Sequence, residues 1–306
     1  MEFVISTKST FDTFANVFQH VKEFNDSFNF MFTNAGLFIQ GFDKCHVSIF
    51  ELNLNAKWFD SYKYTSLQDN NQIGFNAKIF YKILTTRQDN QSMIMSMEQD
   101  ADHYMIKFTG GGKKEYEKNF KIPLLDVDCE IFTIPYEEET VEFKILQSCF
   151  ASVIDQLILF GEVVNIKIDN DNVMFHADGL EGEMEAKIST DDMEEFSADE
   201  CPEDDTLINQ EYSLKLLKNL CLFSKIGNCI KVSVSNARPI CIAYDIGQHG
   251  QNADDQNGNE GQEITEEANA KGQEDTDSID DMMENMTLSD EPLPTYLRLF
   301  LAPKIE

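Results

Sequence analysis

Four times along the chain, three apolar residues alternate with their neighbours and then give way to a polar turn. The triplets are Phe28/Phe30/Phe32, Met93/Met95/Met97, Val164/Ile166/Ile168 and Ile230/Val232/Val234. A period of two buries one face of a β-strand. The turns read Thr-Asn-Ala-Gly (33–36), Gln-Asp-Ala-Asp (99–102), Asp-Asn-Asp-Asn (169–172) and Ser-Asn-Ala-Arg (235–238). Asn, Asp and Gly tolerate the left-handed backbone a tight hairpin needs. Return strands are therefore predicted from Leu37, Tyr104, Val173 and Pro239. A helix with one apolar face precedes each triplet. Its stripes are Phe11/Phe14/Phe18/Val21, Ile79/Ile83 with Phe80/Leu84, Phe150/Ile154/Leu157 and Leu214/Leu217/Cys221. A unit of helix, strand, turn and strand, used four times, is the frame of the fold.

Between the second and third units runs KIPLLDVDCEIFTIPYEEE (residues 121–139), with Pro123 and Pro135 and no periodicity. Such a stretch is an extended connection. The expected architecture is α+β: two similar domains, each with two helices on antiparallel sheet, over residues 1–122 and 137–306, joined by a connector at 123–136. Hydrophobic residues make up 42% of the 306, enough for a large core, and no run is long and apolar enough for a membrane helix. The N-terminus lacks the basic and apolar regions of a secretory signal. Seven cysteines without a CxxC pair suit a reducing compartment, with Cys149, Cys221 and Cys229 expected as small core residues.

The net charge of -31 argues against nucleic acid only if it is spread evenly. Between residues 251 and 291 there are fourteen acidic side chains and one basic, Lys271, with no aromatic. That composition cannot offset its own ordering entropy, so residues 248–294 are expected to be a disordered acidic insertion. A second acidic stretch, 190–205, is expected to be a solvated loop. The helices differ. Lys22, Lys78, Lys82, Arg87, Lys215, Lys218 and Lys225 sit on or beside three of them, away from the apolar stripes. The third helix carries Asp155 and no base.

GLFIQGFDKCHVSIFELNL (36–54), WFDSY (58–62), LLDVDCEIFTIP (124–135), SVSNARPICIAY (233–244) and FLAPKIE (300–306) resemble the eukaryotic sliding clamp, the proliferating cell nuclear antigen family, in order along the whole folded chain. The resemblance implies the DNA-clamp fold and a homotrimeric ring around duplex DNA. It implies no enzyme activity and no cofactor. The role is that of a polymerase processivity factor in DNA replication and repair. The basic residues named above would line the hole and meet the phosphates without reading bases.

The partners it implies are duplex DNA, other copies of the chain, a clamp loader, and a polymerase and other clients bearing a Gln-x-x-aliphatic-x-x-aromatic-aromatic motif. Clients would enter a pocket of Phe42, His46, Val47, Ile49, Phe132, Ile134, Pro135, Pro239, Phe300, Ala302 and Pro303. Subunits would join through segments 116–122 and 182–188, with Phe120 as the aromatic anchor. The location implied is the nucleus, or a cytoplasmic replication compartment in a large DNA virus.

Ser152, Asp155 and Leu159 depart from the basic third helix of the family, and Asn170 stands where many members carry a modified lysine. The acidic insertion is a further departure. It falls in the hairpin between 244–246 and 296–298, so that the chain returns to place its last strand. A long surface loop adds little closure entropy.

Enzyme-like motifs do not hold. GGGKK (110–114) lacks the phosphate-loop frame, and DVD (126–128) and DNDN (169–172) lack the spacing of a calcium loop. The alternative reading is an acidic chaperone-like or DNA-mimic interaction protein. It accounts for the charge but not for the repeat or the lysines.

Overall fold

The computed structural model describes residues 1–65, 72–98, 101–112, 116–127, 131–132, 134, 141–198, 206–247 and 294–304. The first unit comprises β1 (Glu2–Ile5), α1 (Lys8–Phe24), β2 (Ser27–Phe32), β3 (Gly36–Phe42), β4 (Ser48–Asn55) and β5 (Ser61–Lys63). The second comprises β6 (Gln72–Asn76), α2 (Ala77–Leu84), β7 (Ser92–Ser96), β8 (His103–Thr109) and β9 (Lys118–Pro123). The third contains β10 (Val141–Leu146), α3 (Gln147–Leu157), β11 (Val163–Asp169), β12 (Asn172–Gly179), β13 (Gly182–Ser189) and β14 (Glu195–Ala198). The fourth contains β15 (Thr206–Ser213), α4 (Leu214–Leu220), β16 (Cys229–Val234), β17 (Ile240–Asp245) and β18 (Tyr296–Leu301).

The repeat is thus longer than expected. Each unit opens with a strand ahead of its helix and places at least three strands behind it. Phe3/Ile5, Ile73/Phe75 and Val141/Phe143/Ile145 carry the alternation of those opening strands, and all are buried.

Among the described residues all pairings are antiparallel. A five-stranded sheet runs β5-β1-β7-β8-β9, a four-stranded sheet runs β13-β12-β11-β15, and a nine-stranded sheet runs β14-β10-β16-β17-β18-β4-β3-β2-β6. The last strand explains why the chain returns after its acidic run. β18 lies between β17 and β4, so it stitches the two halves into one sheet. Asp245 pairs with Tyr296, so everything between them closes a single hairpin. The acidic segment expected at 248–294 falls, apart from Pro294, outside the described residues, as do residues 99–100 of the second turn and Pro135.

The helices pack on one face of the sheets through their apolar stripes. Phe18 meets Phe30 at 5.8 Å and Phe80 at 4.8 Å between ring centroids, and Phe24 meets Phe50 at 5.6 Å. In the other half Phe150 meets Phe175 at 5.8 Å. Phe223, just beyond α4, touches both Phe24 of α1 and Tyr244 of β17, which joins the two helix pairs along the same side.

Three local expectations are corrected. Ile79 is 52% exposed, because an eight-residue α2 turns Ala77, Phe80, Ile83 and Leu84 inward and leaves position 79 outside. Cys149 is exposed, because α3 buries Gln147, Phe150, Ile154 and Leu157. Cys229 is only half-buried, its Sγ donating to Glu194 at 2.9 Å, whereas Cys221 is buried as expected. The stretch from 190 is not all loop. A one-turn 3-10 helix (Thr190–Asp192) leads into β14, which pairs with β10 and sets Phe196 opposite Phe143.

Candidate functional site

The surface opposite the helices is built by strand alternation. On β3 and β4, Leu37, Ile39, Phe50, Leu52 and Leu54 point to the helices and are buried. Gln40, Phe42, Ile49 and Glu51 take the other face. Register places Phe42 opposite Ile49, and Ile49 opposite Phe300 of β18. Three apolar side chains from three strands therefore form one row. Gln40, Glu51 and Arg298 form the next row.

The loop at the end of this row is held by Asp43. Its carboxylate accepts from the backbone N–H groups of Val47 (2.7 Å) and Ser48 (2.8 Å), while His46 adopts a left-handed φ of 57°. That turn stacks the His46 ring on Phe42 at 5.3 Å. Val47 is exposed, and its carbonyl accepts from Ala302 N–H at 3.0 Å. Pro239 directly precedes Ile240, the partner of Leu301, which sets it level with Ala302.

The connector crosses this same face. Leu125 N–H donates to the Gly74 carbonyl at 3.1 Å, and Asn29 donates to the Val127 carbonyl at 2.9 Å. A side chain at Gly74 would stand 2.0 Å from the Leu125 carbonyl oxygen, so only glycine lets the connector lie so close. Gln40 then grips Phe132 twice. Its Nε2 donates to the Phe132 carbonyl and its Oε1 accepts from the Phe132 N–H, both at 2.7 Å. The same Nε2 donates to Glu51 at 2.9 Å. Burial pushes the Glu51 carboxyl above its ordinary pKa, opposed by the Gln40 hydrogen bond and the Arg298 charge. So held, Phe132 stands edge-on to Phe42 at 5.9 Å and remains 53% exposed. Ile134 is half-buried.

The sequence alone does not single out Gln40, Glu51, Asn29 or Gly74. A polar side chain at an outward strand position reads as solvated, and only the connector's path buries it.

The basic residues of the helix side are unequally free. Lys78 pairs with Asp26 at 2.7 Å, and Lys44 pairs with the same carboxylate at 3.3 Å, together holding it below the usual range. Lys22 lies over the Tyr81 ring at 4.6 Å and pairs with Glu23. Arg87 is drawn into local structure: its Nε donates to the Gln91 carbonyl at 2.6 Å, and its guanidinium covers Phe11 at 4.4 Å. Lys218 pairs with Asp155 of α3 at 2.8 Å, so the acid on the third helix takes up a base from the fourth. Lys82, Lys215 and Lys225 are exposed and make no ion pair among the described residues. Lys225 and Lys22 both face His20, whose pKa is lowered chiefly by burial and further by these charges.

Residues 8–131 match a family model, the N-terminal domain of proliferating cell nuclear antigen. The matched segment includes the 36–54 hairpin and the connector as far as Ile131. Over that segment the chain is similar to the proliferating cell nuclear antigen family.

The likeness extends beyond the matched domain. Proliferating cell nuclear antigen of Chaetomium thermophilum is 24% identical over 231 residues, covering 74% of this chain and 86% of the relative. Proliferating cell nuclear antigen 1 of Plasmodium falciparum is 25% identical over 236 residues, covering 75% and 84%. Members of the proliferating cell nuclear antigen family are non-enzymatic scaffolds with a sliding-clamp, processivity role, and the α+β fold with four helices and antiparallel sheets described above is consistent with their two-domain clamp fold.

Proposed function

We propose that the chain works as a homotrimeric ring that encircles duplex DNA, holds a polymerase to its template, and docks clients on the face crossed by the connector. Its domains are 1–122 and 137–306. The helix side forms the hole, where Lys82, Lys215 and Lys225 are the readily available cations and Lys22, Lys78, Arg87 and Lys218 contribute after exchange of their present partners. A ring that meets only phosphates slides, because no base contact fixes its position. It raises the effective concentration of whatever it carries. The relatives support a nuclear location, and ring opening calls for a clamp loader.

The observation that carries the client reading is the row Phe42, Ile49 and Phe300, walled by an exposed Phe132 that Gln40 holds in place. An apolar groove left open to solvent beside a pinned connector is a partner surface. A short helical peptide with an aromatic pair would bury its rings over that row, with His46, Val47, Ile134, Pro239, Ala302 and Pro303 around it.

Calorimetry with a Gln-x-x-aliphatic-x-x-aromatic-aromatic peptide tests this. Phe42→Ala or Ile134→Ala should weaken binding by at least about 2 kcal/mol if the rings are anchors, with assembly unchanged. A wild-type protein that forms rings and ignores such peptides would leave the clamp and remove this client mechanism.

A further inference from the structure

We propose that His20 and Lys225 form a phosphate contact across the seam between the two halves, and that this contact strengthens as pH falls. The inference rests on the reading of the helix side as the hole, and adds to it a residue and a regulation.

His20 lies on α1 four residues before Phe24, so the two share one flank of the helix. That flank meets the second half. Phe223 ends the 3-10 turn Cys221–Phe223 that follows α4. Its ring stands edge-on to the His20 ring at 5.2 Å and lies 6.4 Å from the Phe24 ring. Phe223 is buried, and two residues later the chain carries Lys225, which is exposed. One ring contact therefore brings an imidazole of the first half beside an ammonium of the second. The imidazole is half-buried. Among the described residues its nitrogens have no hydrogen-bond partner, and they are not sealed from solvent. Both can donate once the ring is protonated.

The charges around the ring come from three residues. Lys225 acts across the seam, and Lys22 and Glu23 act along α1. Glu23 pairs with Lys22 at 3.4 Å, so Lys225 is the cation whose field at the ring has no acid beside it among the described residues. On the other flank of α1, toward α2, Lys22 lies over the Tyr81 ring, and α2 adds no charge of its own at His20. Burial first, then the two lysines, keep the ring neutral to a lower pH than an ordinary histidine. A phosphate reverses that balance. Its charge offsets the lysines, and its oxygen accepts from the ring N–H. The ring then takes up a proton as DNA binds, so a falling pH tightens binding. The contact is to the duplex backbone and reads no base.

The test is fluorescence anisotropy of the full chain with a short labelled duplex. It is read against salt between about pH 8 and about pH 6, the range in which histidine titrates. Wild-type affinity should rise as pH falls, by at most about tenfold per pH unit, the limit for one proton. The logarithmic salt slope should steepen by about 0.9 over the same range, for one further phosphate. His20→Gln should flatten both trends. His20→Lys should hold the low-pH affinity and slope across the whole range, which a merely packed ring would not do. His103 alternates with buried Tyr104 and so lies away from the helices; His103→Gln should keep both trends. Circular dichroism at each pH separates lost binding from lost folding. A wild type that binds duplex with no pH trend, or a folded His20→Gln that keeps the trend, would overturn this contact alone. A wild type that ignores duplex DNA at low salt and every pH would overturn the hole reading, and this contact with it.

Discussion

The two halves of the molecule use one frame and fill it differently. The spacing Phe14, Phe18, Val21 in α1 recurs as Phe150, Ile154, Leu157 in α3, and Ala77, Phe80, Ile83 in α2 recurs as Leu214, Leu217, Leu220 in α4. Of the 24 phenylalanines, 17 lie in residues 1–140 and seven in residues 141–306. Matched positions are therefore more often aromatic in the first half and aliphatic in the second. The first half concentrates rings under one sheet: Phe30 stacks on Phe75 at 4.0 Å, Phe18 stands edge-on to both, and Phe80 stands edge-on to Phe30. Directly across the sheet from this cluster runs the connector. The half with the larger, ring-locked core is the half that bears the pinned connector and the apolar row. The second half has its acid–base pair between helices.

The largest test of this contrast is truncation at the matched site. Phe18→Ala should cost about 3–5 kcal/mol and Ile154→Ala about 2–5 kcal/mol by urea unfolding. The expected order is Phe18 above Ile154. Ring pairs add about 0.5–1.5 kcal/mol beyond buried area, and Phe18 has four ring neighbours in this cluster, counting Phe14, Phe30, Phe75 and Phe80. A double-mutant cycle of Phe18 and Phe80 should show coupling. Equal costs at the two sites, with no coupling, would mean the aromatic cluster adds nothing over aliphatic packing.

Much of this frame is legible in the sequence. Periodicity alone locates the four helices, the triplet strands and three of the hairpins, because a buried face imposes its period on every residue. The opening strands ahead of the helices escape it although their alternation is present. They are short, four to eight residues, and directly abut a helix, so the change of period hides the boundary. The face that docks the connector is not legible. Phe132 announces itself as an apolar residue without a partner, but Gln40 and Gly74, which hold and admit the connector, are ordinary until another segment lies on them. Asp155 reads in the sequence as a missing base, and only the fold shows that it also neutralises Lys218.

The second test displaces the connector from its half. Gly74→Ala places a methyl against the Leu125 carbonyl, at a separation no relaxed contact tolerates. Overpacking of this kind costs about 1–3 kcal/mol. Hydrogen exchange should show faster exchange at Leu125 N–H, while the C-terminal strands β11–β13 stay protected. A smaller effect is expected from Gln40→Ala, which removes both bonds to Phe132. Neutral hydrogen bonds contribute about 0.5–1.5 kcal/mol each, so client peptide binding should fall by about tenfold with little loss of stability. Unchanged affinity would show that the pocket does not need a fixed connector.

The smallest effect is expected on the helix side of the second half, where the contrast with the first is one of charge. Lys78 of α2 pairs with Asp26, at the start of the first half's own hairpin, whereas Lys218 of α4 pairs with Asp155 on the neighbouring helix. Both pairs are exposed, so their contribution to stability is slight, and in the proposed ring what they would control is the field in the hole. Asp155→Lys removes an acid, adds a base and releases Lys218. The logarithm of DNA affinity falls with the logarithm of salt by about 0.9 for each phosphate neutralised on a duplex. The variant should therefore steepen that slope by about 0.9 for every further phosphate that a lysine reaches, with thermal stability nearly unchanged. Asp26→Asn should act in the same sense through Lys78, and more weakly, because it adds no base. If neither variant changes the salt slope while Lys82→Gln and Lys215→Gln do flatten it, then only the unpaired lysines reach the phosphates. The acid on the third helix would then have no part in DNA binding.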